Sequence, residues 1–455
     1  MKNQNKSTLL TIRNALFLAL LICAPKLFAQ TQAVPQDFIR ISGQATLQAG
    51  LAEAARQARA TGKTYWVGYQ FDLHSSFDFS ERRVLIHKNG GISFFSGDSH
   101  WMWDVEDDDL ETSVHRALAE MGEEASKAYL EKRRKEFSYS AADYAVYLLF
   151  NAGKNAIEQV AFIDFAHIGH LDEAPVYWLG QVATEQSFDY MRGLVEDRRQ
   201  DMQLRKPALF LASLHASSRV VPFLVKIAEN DSERELQKKA PFWLGQIHSD
   251  ESFAALEGLF ARAKDHKIQE EIVFAFSQHH SPKATAKLVE IARSNADENV
   301  REKAIFWLGQ SDNPDNLREL EKLFRDTKST NLQKKIIFSI SQHRSERAPG
   351  ILIGIAESDA SREVRKQAIF WLGQIAGKKT LQTLRGIVDD DSDTEIQNQA
   401  VFALTQHRDK QEVAKMLIDI ARTHKNPKVR KKAIFWLSQT DDEKALEFYK
   451  EVLAK

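Results

Sequence analysis

A ladder of aromatic residues runs through this chain at a near-constant interval: Tyr177, Phe210, Phe242, Phe274, Phe306, Phe338, Phe370, Phe402 and Phe435. Successive rungs stand 32 or 33 residues apart. A fixed period of this length specifies stacked small units, each too small to bury its own apolar face, so that the stack supplies the core. One globular core is excluded for this part of the chain.

The stretch from Val300 to Gln310 serves as the reference helix. At about 100° per residue, Val300, Ala304, Trp307 and Leu308 fall on one side, with Ile305 at its edge. That stripe is the expected buried face. The Val300 column is apolar in every unit: Leu171, Leu204, Leu236, Ile268, Leu332, Val364, Ile396 and Val429. A second amphipathic segment follows each reference helix, for example residues 252–263, 282–293, 317–324 and 413–421. Each unit therefore reads as a helical hairpin, repeated nine times.

A doubled period lies on top of this one. Trp178, Trp243, Trp307, Trp371 and Trp436 occur in alternate units, each followed two residues later by Gly or Ser. The intervening units carry Leu211, Ala275, Ser339 and Ala403 at the Trp position, then His215, His279, His343 and His407 four residues on. Large beside small suggests volume compensation between layers, with the Trp residues in the core. Alternate units lie about 20 Å apart at a helix spacing of ~10 Å. The histidines therefore cannot share a metal whose ligands must sit within ~2.3 Å. Hydrogen bonding at a helix end is the expected role.

The pattern Val-Arg-x-x-Ala-Ile-x-x-Leu-Gly, as in Val364-Arg365 through Leu372-Gly373, resembles the short HEAT repeat of the HEAT/armadillo superfamily, including the phycobilisome-lyase-like type, over residues 153–455. The resemblance implies a mostly α chain. Its expected fold is a right-handed α-solenoid of about nine HEAT-like helical hairpins whose second helices line a concave, protein-binding face.

Phe306 points away from the buried stripe and shares its side with Glu302, Lys303 and Gln310. Four residues after each rung stands a Gln in eight of the nine units, including Gln246, Gln278, Gln310, Gln342, Gln374 and Gln406; Leu214 is the exception. Residues at i and i+4 are neighbours on a helix. Two parallel ladders are thus expected on the inner surface: Phe242, Phe274, Phe306, Phe338, Phe370 and Phe402 beside the Gln residues, with Lys239, Lys303 and Lys335 among them. By analogy with armadillo arrays of Asn and Trp, these could hold an extended and preferably acidic polypeptide. The competing reading is that rings and amides pack on one another and stabilise the stack.

Residues 1–29 read as a signal peptide: Lys2, Lys6 and Arg13 precede an apolar run over 15–24 that is too short for the ~20 residues of a membrane span, and Ala29 suits cleavage. Cys23, the only cysteine, leaves with it, so the mature chain has no thiol or disulfide chemistry. A bacterial periplasmic or secreted location is expected. Residues 30–150 lack the period and read as a small α+β domain ahead of the solenoid at 151–455. In it a helix is expected over 45–60, a strand over 64–71, a hairpin of 84–87 with 92–95, and helices over 110–134 and 141–150.

The acidic run from Asp104 to Glu111 lacks the spacing of a calcium loop. His167 and His170, with Asp164 nearby, lack a third ligand, so neither a metal nor another cofactor is expected. A net charge of −1 selects no partner, and the mixed Lys and Glu of the ladder face do not favour nucleic acid. No phosphate loop or nucleophile–base pair stands out. The expectation is a non-enzymatic protein-binding scaffold of the cell envelope. The alternatives are an enzyme or enzyme accessory, with chemistry in residues 30–150 or lyase-like handling of a chromophore, and a purely structural envelope component.

Overall fold

The computed structural model describes residues 34–453 apart from 60–62, 76–81, 87–91, 97–98, 104–143, 155, 166–170, 172–173, 280, 312, 359–360 and 441–442. The expected signal peptide, the acidic run, the helix over 110–134 and the His167/His170 pair lie outside the described residues. The chain divides into two compact units, Met1–Phe223 and Leu224–Lys455.

The first unit is built on a five-stranded sheet of order β1-β8-β2-β6-β7, with β1 Ile39–Arg40, β2 Thr64–Gln70, β6 Tyr144–Asn151, β7 Ala156–Asp164 and β8 Val176–Gln181. Strand β8 runs parallel to both β1 and β2; β6 runs antiparallel to both β2 and β7. A separate meander joins β3 Arg82–Ile86, β4 Ile92–Ser96 and β5 Ser99–Trp103. The expected first helix is α1, Leu47–Ala58, whose start is capped by Thr46 accepting from the Ala49 N–H at 3.2 Å. Two more helices, α2 Thr184–Glu196 and α3 Met202–Ser213, follow the sheet, and α4 Val220–Asn230 spans the division between the units.

Two expectations fail here. Of the segment expected to be helical over 141–150, the described part from Tyr144 is the buried strand β6. Tyr144 to Leu149 are all buried, and an apolar run covered on both faces carries no period that separates strand from helix. The first unit of the ladder is also not a hairpin, because Tyr177 and Trp178 lie in β8. There Trp178 packs against Phe38, Tyr147 and Phe165. Its ring crosses β2 at Gly68, where an added Cβ would lie 2.9 Å from both Trp178 and Tyr147. The sheet thus continues past residue 150, and the run of helices that follows it begins at Thr184.

Among its described residues the second unit holds seven hairpins. Their first helices are α5 Arg234–Gln246, α7 His266–Gln278, α9 Glu298–Gln310, α11 Thr330–Gln342, α13 Arg362–Gln374, α15 Thr394–Gln406 and α17 Pro427–Leu437. Their second helices are α6 Asp250–Arg262, α8 Pro282–Ser294, α10 Pro314–Asp326, α12 Ala348–Glu357, α14 Lys378–Asp390, α16 Lys410–Thr423 and α18 Glu443–Leu453. Side chains of Asp265, Asp297, Ser329, Ser361, Asp393 and Asn426 accept from first-turn N–H groups and fix where six of the first helices start. The buried stripe of α9 is Val300, Ala304, Ile305 and Leu308. Ile305 is inside it and Trp307 is only half-buried, which shifts the stripe from its expected centre.

First helices pack directly on one another along the stack, whereas second helices touch one another far less. The first helices are therefore the more closely spaced layer.

Candidate partner-binding face

The doubled period of the sequence becomes an alternation of two interfaces between first helices. At α5/α7, α9/α11 and α13/α15 the backbones meet. A Cβ on Gly245, Gly309 or Gly373 would lie 2.5, 2.6 or 2.5 Å from the carbonyl oxygen of Ala275, Ser339 or Ala403. At α7/α9, α11/α13 and α15/α17 an indole fills the gap instead. Phe274 meets Trp307 at 4.5 Å, Phe338 meets Trp371 at 5.1 Å and Phe402 meets Trp436 at 5.1 Å between ring centroids. Small residues close one interface and Trp fills the next, as dense packing requires.

Across each close interface the rungs themselves stack. Phe242 and Phe274 are 5.5 Å apart, Phe306 and Phe338 6.2 Å, Phe370 and Phe402 6.3 Å, with interplanar angles of 22°, 15° and 17°. Edge-on contacts within a helix link Phe242 to Trp243, Phe306 to Trp307, Phe370 to Trp371 and Phe435 to Trp436. The result is one unbroken ribbon of rings from Trp243 to Phe435. Aromatic pairs of this geometry contribute about 0.5–1.5 kcal/mol each beyond their buried area.

Exposure grades along the ribbon. Phe242 and Phe274 are 7% and 9% exposed, Phe306, Phe338, Phe370 and Phe402 are half-buried, and Phe435 is 50% exposed. The Trp residues were expected in the core; Trp243 is there at 3%, but Trp307, Trp371 and Trp436 are half-buried parts of the same ribbon.

From α5 to α15 the Gln ladder splits along the same alternation. Gln278, Gln342 and Gln406 donate from Nε2 to the hydroxyl of the preceding Ser277, Ser341 or Thr405. Each hydroxyl in turn donates to the carbonyl of its own rung, Phe274, Phe338 or Phe402. A hydroxyl three residues after the rung was a sequence signal left unread. Gln246 is buried, whereas the side chains of Gln310 and Gln374 are exposed and make no hydrogen bond among the described residues. The Gln amides therefore do not form a mutual ladder.

Charge is largely compensated in the middle of the face. Lys335 pairs with Glu302 at 2.8 Å, and Lys334 and Lys366 both reach Glu363. Glu271 lies in the field of Lys238, Lys239 and Lys303, yet burial dominates and pushes its carboxyl above the usual range.

The repeated histidines are buried and join neighbouring units, a longer reach than the local role expected of them. In the second unit the Nε2 atoms of His279 and His343 lie 3.1 and 3.2 Å from the carbonyls of Ser249 and Asn313, thirty residues back. His407 Nε2 lies 3.1 Å from the Gly377 nitrogen. Nδ1 of His343 and of His407 accepts the N–H two residues ahead. Burial holds His279 and His407 below the ordinary imidazole range. In the first unit His215 Nε2 sits 2.8 Å from Ser187 Oγ, but both residues are fully buried and the pair has no access to a substrate. Among the described residues no three His, Cys, Asp or Glu converge to hold a metal, and no helix is long and apolar enough to cross a membrane.

Known folds similar to this chain are helical repeats of low identity. Human deoxyhypusine hydroxylase is 17% identical, with 59% of this chain and 97% of that one covered and a TM-score of 0.26. The Escherichia coli protein YIBA is 17% identical, covers 56% and 96%, and scores 0.31. The CpcE–CpcF complex of phycocyanin lyase from Nostoc sp. is 15% identical, covers 52% and 93%, and scores 0.26. Likeness this distant carries no argument about activity. No curated protein matches the sequence. The HEAT repeats family matches residues 221–303, 285–370, 351–422 and 387–455, which together span just over half of the chain and include every hairpin of the second unit. The chain belongs to the HEAT-repeat family.

Proposed function

We propose that this chain is an exported, non-enzymatic scaffold that binds a protein partner along the rung face from Phe306 to Phe435. Membership of a family whose members generally mediate protein interactions supports the coarse reading. The observation that carries the finer one is the half-exposed ring ribbon flanked by the amides of Gln310 and Gln374. Aromatic rings offer large, rigid contact area, and exposed amides both donate and accept along a partner's backbone. Stacking within the ribbon stabilises the repeat and leaves outer ring faces available, so the structural and binding roles coexist.

The test uses the mature full chain. A partner is identified by crosslinking and mass spectrometry, purified, and titrated against the native chain and a Gln310→Ala, Gln374→Ala variant. Weaker binding with unchanged thermal unfolding is the expected result; equal binding by both chains would sink the rung-face assignment. Export is tested separately by fusing residues 1–29 to alkaline phosphatase, which is active only after translocation. An inactive fusion would reject it.

A further inference from the structure

The last rung differs from the others in charge and in shape. On α17, Lys428, Lys431, Lys432 and Phe435 follow one another at helical spacing along a single face. Corresponding positions carry Asn299, Glu302 and Lys303 on α9, and Glu363, Lys366 and Gln367 on α13. Only α17 has three cations there and no acid. Lys428 and Lys431, with Lys425 just before the helix, are exposed and make no ion pair among the described residues. Lys432 Nζ stands 5.5 Å from the ring centroids of both Phe435 and Trp436. Half of Phe435 is open, and on α18 Leu446 is 57% exposed.

An exposed rung offers an apolar contact, and the lysines beside Phe435 favour an acidic occupant for it. Gly245, Gly309 and Gly373 let the next helix approach until a Cβ would sit 2.5–2.6 Å from its backbone, closer than side-chain atoms tolerate. The residue at that position, just past the end of α17, is Ser438. Ser438 excludes an approach as close as that of α7 to α5, but not the wider seat that α9 takes on α7 beside Ser277, where an indole fills the gap. An extended acidic chain lying along the Lys428–Phe435 stripe needs neither seat.

We infer that the C-terminal rung is the anchor for an acidic, extended polypeptide segment, with carboxylates on Lys425, Lys428 and Lys431 and an apolar side chain on the open face of Phe435. This rests on the partner-binding reading above and narrows it to one end and one chemistry. Unpaired exposed lysines draw an acidic partner by long-range attraction, and a desolvated ring beside them supplies the contact that fixes it.

The test is fluorescence anisotropy with the purified mature chain and a labelled short Glu-rich peptide carrying one Phe, beside a matched Lys-rich peptide. The acidic peptide is expected to bind, to weaken with added salt, and to bind about tenfold less tightly to a Lys428→Glu, Lys431→Glu variant whose melting is unchanged. Phe435→Ser should reduce affinity at every salt concentration. Equal binding of both peptides, or no effect of the charge reversal, overturns the inference. If the reversed variant still binds the natural partner while Gln310→Ala, Gln374→Ala does not, the rung face stands and the anchor falls. Binding of phosphatidylglycerol vesicles without peptide binding would assign the end to a membrane surface. Concentration-dependent association abolished by Phe435→Ser would assign it to a second copy.

Discussion

The same substitution, Gly→Ala, should have opposite effects at two positions of the second unit. In α9, the Cβ of Gly309→Ala would meet Ser339 Cβ and O at 2.6 Å and Cα at 2.8 Å. Two of these are backbone atoms of a packed helix and cannot rotate away, so α9 and α11 must part by most of an ångström. Overpacking of this kind costs about 1–3 kcal/mol, and the upper half applies where backbone faces backbone. Against it stands the gain of about 1 kcal/mol for replacing Gly by Ala within a helix. The net is a loss of about 1–2 kcal/mol. In α14, nothing lies within 4 Å of a Cβ built on Gly386, so only the propensity gain remains.

For a unit of this size each kcal/mol moves Tm by about 2–4 °C, so the two variants should straddle the native protein by roughly 5–10 °C in total. Scanning calorimetry on the mature chain measures this directly. If both substitutions raise Tm, the first helices do not approach as closely as α9 and α11 do here, and the explanation of the doubled period fails with it.

Rung position should matter in the same way. Phe274→Ser removes a ring stacked on both Phe242 and Trp307 and should cost about 3–5 kcal/mol, whereas Phe435→Ser, at the half-open end, should cost about 1 kcal/mol; equal losses in urea unfolding would refute the graded ribbon. His343→Ala leaves the Asn313 carbonyl and the Ser345 N–H without their partner and should cost about 1–3 kcal/mol, with amide exchange rising first at those two loops. Acid should weaken the first unit through His215, which burial pushes down to about 4 from an ordinary 6.5. The unfolded chain takes up that proton below about pH 6.5 and the folded one only near 4, so stability falls across this window by about 3 kcal/mol. Urea midpoints of the native chain and a His215→Asn variant at both ends of the window test it, and parallel pH profiles would exclude the effect.

Much of the second unit was legible because each helix announces itself locally. A cap such as Asp297 or Ser329, an apolar column at 3.6-residue spacing and a polar connection recur until the period is unmistakable. Less legible was which layer lies closest together. Phe306 can be placed opposite the buried stripe from sequence, but its contact with Phe338 depends on how near α9 and α11 come, and that is set by Gly309 meeting Ser339. The split of the Gln residues was missed for a smaller reason: Ser277, Ser341 and Thr405 capture the amides beside them, while Gln310 and Gln374 follow a glycine that offers no hydroxyl.

The clearest boundary between sequence and tertiary structure is a tetrapeptide. Trp-Leu-Gly-Gln occurs at residues 178–181 and again at 307–310, at matching places in the period. In α9 it is helix, preceded by Lys303-Ala304-Ile305 and packed on α11. At 178–181 it is the end of β8, preceded by Ala174-Pro175-Val176, paired with β1 and β2, and Gly180 takes a φ of 78° that no helix contains. Periodicity determined the repeat, its length and its apolar columns, because those follow from side-chain spacing along one chain. Whether a given copy becomes helix or strand, and how much of each ring stays open to a partner, depends on which backbone lies beside it, and only the assembled structure supplies that neighbour.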